Sequence, residues 1–138
     1  APTEGVVEIA LMCASGGTLE IYIEPNLTQP QVVAIGHLPV VESLATLGKG
    51  LGYAVTVMGL DSTADRFPQA DRFLDRLDFS QLTVTAQTYI IVASHGNYDE
   101  QALEGALKTG APYVALVASK KRAATVIQYL REASLKNG

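Results

Sequence analysis

Four short apolar runs exchange with segments of helical period along this chain, and that exchange constrains the fold more than any other feature. The runs are residues 31–35, 54–58, 89–93 and 113–117, rich in valine and isoleucine and almost free of polar alternation. A strand that is apolar on both faces has to be covered on both faces, the situation of a parallel sheet inside an α/β protein. Between the runs, residues 40–51 set Val40, Leu44, Leu47 and Leu51 on one helical face, with Gly52 just past the end. Asn97 is placed to cap a second helix, with Glu100 completing a capping-box pattern, Leu103, Ala106 and Leu107 facing inward, and a stop at Gly110. Ser119 caps a third, with Ala123, Val126, Ile127 and Leu130 on one stripe. Strands and helices in this order predict a three-layer, doubly wound α/β fold around a mostly parallel sheet.

Two segments fall outside that rhythm. Residues 61–80 carry Asp61, Asp65, Arg66, Asp71, Arg72, Asp75, Arg76 and Asp78, and read as an exposed connection with a short edge strand near Phe73 and Leu74. Residues 1–29 read as an N-terminal arm, the remnant of a preceding domain, and residues 30–138 as the domain itself. Within the arm, residues 18–23 alternate in strand fashion, with Leu19, Ile21 and Ile23 on one face. An unpaired strand edge invites association. The arm is therefore expected to pair with the sheet edge of its own or a second chain, giving a homo-oligomer.

Composition narrows the function. The chain has 138 residues, close to one average domain, and a formal net charge of −4, which argues against a nucleic-acid binder. Its one cysteine, Cys13, has no partner for an internal disulfide, and a reducing cytoplasm is the expected setting. No apolar run approaches the roughly 20 residues of a membrane span.

In an open α/β sheet, ligands bind at the carboxyl ends of the strands, where helix N-termini present free N–H groups. Three loops occupy such places: Gly36-His37-Leu38-Pro39, Ser94-His95-Gly96-Asn97, and Ala118-Ser119-Lys120-Lys121-Arg122. The first has one glycine where a dinucleotide fingerprint has three, and the next strand ends in Gly59 rather than a ribose-binding carboxylate. It serves equally as a plain tight turn. In the second, His95 beside Gly96 is placed to donate to a phosphate, bind a metal or move a proton, or to satisfy a neighbouring backbone group. In the third, Lys120, Lys121 and Arg122 set positive charge in a first helical turn, which the macrodipole disfavours unless an anion joins them or the side chains point into solvent. The candidate ligand-binding residues are thus Gly36, His37, Ser94, His95, Gly96, Ser119, Lys120, Lys121 and Arg122. Cys13, ahead of Gly16 and Gly17, is a candidate for holding a metal or sulfur, or an inert thiol.

Together these pieces resemble a known family. Cys13-Ala-Ser-Gly-Gly-Thr-Leu-Glu-Ile-Tyr-Ile-Glu-Pro25, Val32-Val-Ala-Ile-Gly36, Gly52-Tyr-Ala-Val-Thr-Val57, Phe67-Pro-Gln-Ala-Asp71, Thr88-Tyr-Ile-Ile-Val-Ala-Ser-His-Gly96 and Leu116-Val-Ala-Ser-Lys-Lys-Arg122 follow, in order and spacing, the pattern of the XdhC/CoxI family. Its members are accessory proteins of xanthine dehydrogenase, carbon monoxide dehydrogenase and related molybdenum hydroxylases. The resemblance implies a Rossmann-like domain that binds a molybdenum cofactor of the molybdopterin type. It also implies help with that cofactor's sulfuration and delivery to a molybdenum hydroxylase apoenzyme, a maturation role rather than catalysis. The alternative is an NAD(P)-dependent oxidoreductase domain.

Overall fold

The computed structural model describes residues 6–10, 18–22, 29–37, 39–60 and 62–137. Five strands form one parallel sheet: β3 (Gln31–Gly36), β4 (Ala54–Met58), β5 (Arg72–Leu74), β6 (Thr88–Ala93) and β7 (Tyr113–Leu116), in the order β5-β4-β3-β6-β7. Three helices connect or follow them: α1 (Pro39–Gly50), α2 (Asp99–Lys108) and α3 (Lys120–Asn137). The predicted strands and their parallel pairing are present, including the short edge strand at 72–74. Strand β3 lies between β4 and β6, so the chain moves outward one way from β3 to β5 and the other way from β6 to β7. That reversal is the topological switch point of a doubly wound sheet.

Alternation along the strands feeds two cores. Val33, Ile35, Met58, Ile90 and Val92 pack with Ala102, Leu103 and Ala106 of α2 and Val126 of α3. Val32, Ala34, Val55 and Val57 pack with Val41 and Ala45 of α1 and with Phe67. The helix faces differ in detail from their periodicity. In α1 the buried residues are Val41, Ala45 and Gly48, whereas Leu47 and Leu51 stand 63% and 73% exposed. Small side chains win because the helix lies close on the sheet: a Cβ at Gly48 would come within 2.9 Å of Val32 Cγ1. Leu107 of α2 and Ile127 of α3 are likewise exposed rather than inward.

The acidic connection 62–80 is tied down rather than free. The Asp71 carboxylate takes Lys49 of α1 on one oxygen and the Val55 N–H on the other at 2.8 Å. The Lys49 ammonium, then the Val55 N–H, hold the Asp71 carboxyl below the usual carboxylate range. Phe67 and Phe73 stack at 5.9 Å. In the arm, β2 (Thr18–Tyr22) pairs antiparallel with β1 (Val6–Ala10). Within this chain the pair forms a two-stranded sheet of its own, separate from the five-stranded one.

Candidate functional site

The three strand-to-helix loops open at the carboxyl ends of β3, β6 and β7. Strand β3 ends on Gly36, at φ +146°, where a Cβ would sit 2.2 Å from Ala93 O of β6. Only glycine lets the two central strands finish this close together. His37 follows, half-buried, its Nδ1 atom shielded from water and without a hydrogen-bond partner. Pro39 is the first residue of α1, a place where its missing N–H costs nothing.

The second loop is built around a carboxylate. Asp99, the first residue of α2, is fully buried. Its Oδ1 accepts from the Ser94 hydroxyl and from Ser94 N at 3.2 Å, and its Oδ2 from Gly96 N at 3.0 Å. The Ser94 hydroxyl accepts from Tyr98 N at 3.1 Å. These bonds hold His95 and Gly96 at positive φ, 55° and 86°, and leave His95 exposed at the tip. Asn97 is not the cap expected of it: Tyr98 occupies the N-cap position, and Glu100 turns to a partner on α3 instead of closing a capping box. Ser94 is committed to the loop itself, with its hydroxyl facing inward.

In the third loop Ser119 caps α3 as expected, its Oγ accepting from Arg122 N at 3.1 Å. The three cations then separate. The Arg122 guanidinium donates to Gly96 O at 2.9 Å and to both Glu100 oxygens at 3.2 and 3.3 Å, with Nε 3.5 Å from Asp99 Oδ2. The charge that strains this helix start is thus balanced in part by carboxylates of α2. Gly96 makes the contact possible, since a Cβ there would lie 3.0 Å from Arg122 Cζ. Lys120 and Lys121 are exposed and join no salt bridge among the described residues.

Between the second and third loops lies a cavity of about 350 Å³, lined by His95, Gly96, Asn97, Ser119 and Arg122 among others. It offers an imidazole, a guanidinium and bare backbone, with two lysines adjacent in sequence. That chemistry suits an anionic ligand. Cys13 lies outside the described residues, as do Leu38 and Asp61. Among the described residues no three His, Cys, Asp or Glu side chains gather as a metal site. Asp99, which the sequence does not single out, and Glu100, expected only to close a capping box, are the residues that shape the site.

A parallel sheet with a switch point and a glycine at its first turn defines a Rossmann-like α/β domain. Residues 32–138 match the family model of the XdhC Rossmann domain, and the chain belongs to that family. Its fold is similar to that of a xanthine dehydrogenase from Bacillus halodurans, with a TM-score of 0.62 and 19% identity over 80% of this chain. The chain spans 34% of that protein's length. A comparison with curated proteins gives no match.

Proposed function

We propose that this chain is the cofactor-binding part of an accessory protein for molybdenum hydroxylases. It holds an anionic pterin cofactor of the molybdopterin type during sulfuration and passes it to the hydroxylase apoenzyme. The observation that carries this reading is the cavity between the β6–α2 and β7–α3 loops, in a domain of the XdhC family. The cofactor is cargo here, and its phosphate is the part these residues suit. Lys120 and Lys121 supply charge, Arg122 a guanidinium, and His95 and Gly96 a donor beside bare backbone. His37 Nδ1, buried and unpaired, is an atom a bound ligand would satisfy. Cys13 is the residue to carry sulfur or contact metal.

A nicotinamide dinucleotide would occupy the same sheet edge. The single glycine of the first turn and Gly59 at the end of β4 weigh against it. Tyr113 and Val117 near β7, with Ile127 and Leu135 of α3, are exposed apolar side chains available to an apoenzyme or a second copy. The single cysteine suits a reducing cytoplasm, where we place the protein. No helix among the described residues is long and apolar enough to cross a membrane.

The test is mass spectrometry of protein purified under native conditions from a host that makes the cofactor. A bound pterin is expected, and the double substitution Lys120→Gln, Lys121→Gln should lower its retention, more so at low salt. Absence of pterin, together with no binding of inorganic pyrophosphate by calorimetry, would refute the proposal.

A further inference from the structure

We infer that the β1–β2 pair closes an open half of the large sheet, laying its apolar face over β6, β7 and the leucine flank of α1. Alternation assigns each strand residue to one side of the sheet. Ile90 and Val92 of β6, with Val114 and Leu116 of β7, face α2 and α3. Tyr89, Ile91, Tyr113 and Ala115 therefore face the α1 side. Helix α1 lies over β3 and β4, and no helix among the described residues lies over β6 and β7 on that side. A helix is about 10 Å wide and strands are about 4.8 Å apart, so one helix covers two strands.

Helix α1 turns its leucines toward this opening. Glu42 and Lys49 pair with Arg66 and Asp71, on the β5 side. Leu44, Leu47 and Leu51 lie on the opposite flank of the helix, toward β6. The leucine stripe that the sequence sets on one face thus borders bare sheet. Tyr113 and Val117 stand half in solvent. Tyr53, Tyr89 and Tyr113 form a row at the amino ends of the strands, with ring centroids 6.2 and 5.9 Å apart. An apolar patch of this extent calls for a cover.

Register, size and tether pick β1–β2 as that cover. Pairing sets Val7 opposite Ile21 and Ile9 opposite Leu19 on one face of the pair, and Glu8 opposite Glu20 on the other. The first face is wholly apolar, and two carboxylates side by side favour water on the second. A lone two-stranded pair is marginal in water and needs a surface to pack on. Two strands match the width of β6 and β7, at the spacing of about 10 Å between stacked sheets. The tether also ends close by. The Gln29 amide donates to Gly52 O at 3.0 Å and Gln31 N to Gln87 O at 2.9 Å, which pins the entry to β3 beside the tyrosine row. The stretch from Tyr22 to Gln29 reaches at most about 24 Å. So short a tether holds β1–β2 at this end of the sheet at a local concentration of roughly millimolar, ahead of any separate chain. Tyr113 and Val117 are then covered within the chain, while Ile127 and Leu135 of α3 stay open to an apoenzyme.

Thermal melts and deuterium exchange of the full chain test this. Leu47 and Leu107 are both more than half exposed near the ends of α1 and α2, on opposite sides of the sheet. Glutamine at either place keeps a similar helix propensity. Leu47→Gln should lower the melting temperature by about 4 °C and speed exchange of the β1 and β2 amides about tenfold, and Leu107→Gln should do neither. Ile21→Gln should speed nitration of Tyr113 by tetranitromethane severalfold, whereas Glu20→Gln should leave it unchanged. These results should hold over a roughly hundredfold range of protein concentration. Unprotected β1 and β2 amides in the parent, or equal effects of the two leucine substitutions, would overturn the inference. So would protection that fades on dilution as a dimer dissociates, which would give this surface to a second copy.

Discussion

Replacing Asp99 by alanine tests the account of the site most directly. The carboxylate is fully buried and accepts from Ser94 N, Gly96 N and the Ser94 hydroxyl, with Arg122 Nε at 3.5 Å. Alanine leaves two backbone N–H groups, one buried and one partly buried, without their acceptor. Hydrogen bonds to a charged group contribute about 1.5–3 kcal/mol each, so the two amides alone set an upper range of about 3–6 kcal/mol. Water entering the vacated space returns part of this, and the guanidinium keeps Glu100 and Gly96 O. The expected loss is about 3 kcal/mol, at the low end for breaking a buried ion pair and a large share of a typical domain's stability. Urea denaturation followed by circular dichroism measures it. Asp99→Asn, which keeps the volume and one accepting oxygen, should lose less than Asp99→Ala. An Asp99→Ala chain within about 1 kcal/mol of the parent would refute the claim that this carboxylate organises the loop.

Gly36→Ala should cost at least about 3 kcal/mol, because its Cβ would lie 2.2 Å from a backbone oxygen at positive φ, whereas Gly110→Ala, at φ +76° with open space around it, should cost about 1 kcal/mol. Thermal melts of the two variants compare them directly, and equal losses would sink the packing argument. For Asp71 the carboxyl is held low in the folded chain, so its contribution is present above the unfolded value of about 3.9 and is lost as pH falls through the lower folded value. Being 38% exposed, the pair contributes under about 1 kcal/mol. The stability gap between parent and Asp71→Asn should therefore be constant at neutral pH and close below about pH 4. Urea midpoints at pH 7 and pH 3 check this, and a gap that stays open would contradict it.

The sequence by itself determined the order and kind of the elements. Runs such as 54–58 and 89–93 are apolar on both faces, and that property belongs to the segment wherever it lies. The edge strand at 72–74, the Ser119 cap and the glycine stop at 110 are equally local, resting on turn and cap chemistry within a few residues. Tertiary structure decided everything that depends on distance. The buried face of α1 is Val41, Ala45 and Gly48, not the leucine stripe, because how closely the helix approaches β3 selects small side chains. Arg122 reads as a free cation in a first helical turn until Gly96 and Glu100, far away in sequence, are brought beside it. The same holds for Asp99, an unremarked acid at a helix start whose burial under the loop makes it the organiser of the site. Charge and hydrophobic period are properties of neighbours along the chain, whereas hydrogen-bond satisfaction in a site is a property of neighbours in space, which only the packed sheet and helices assign.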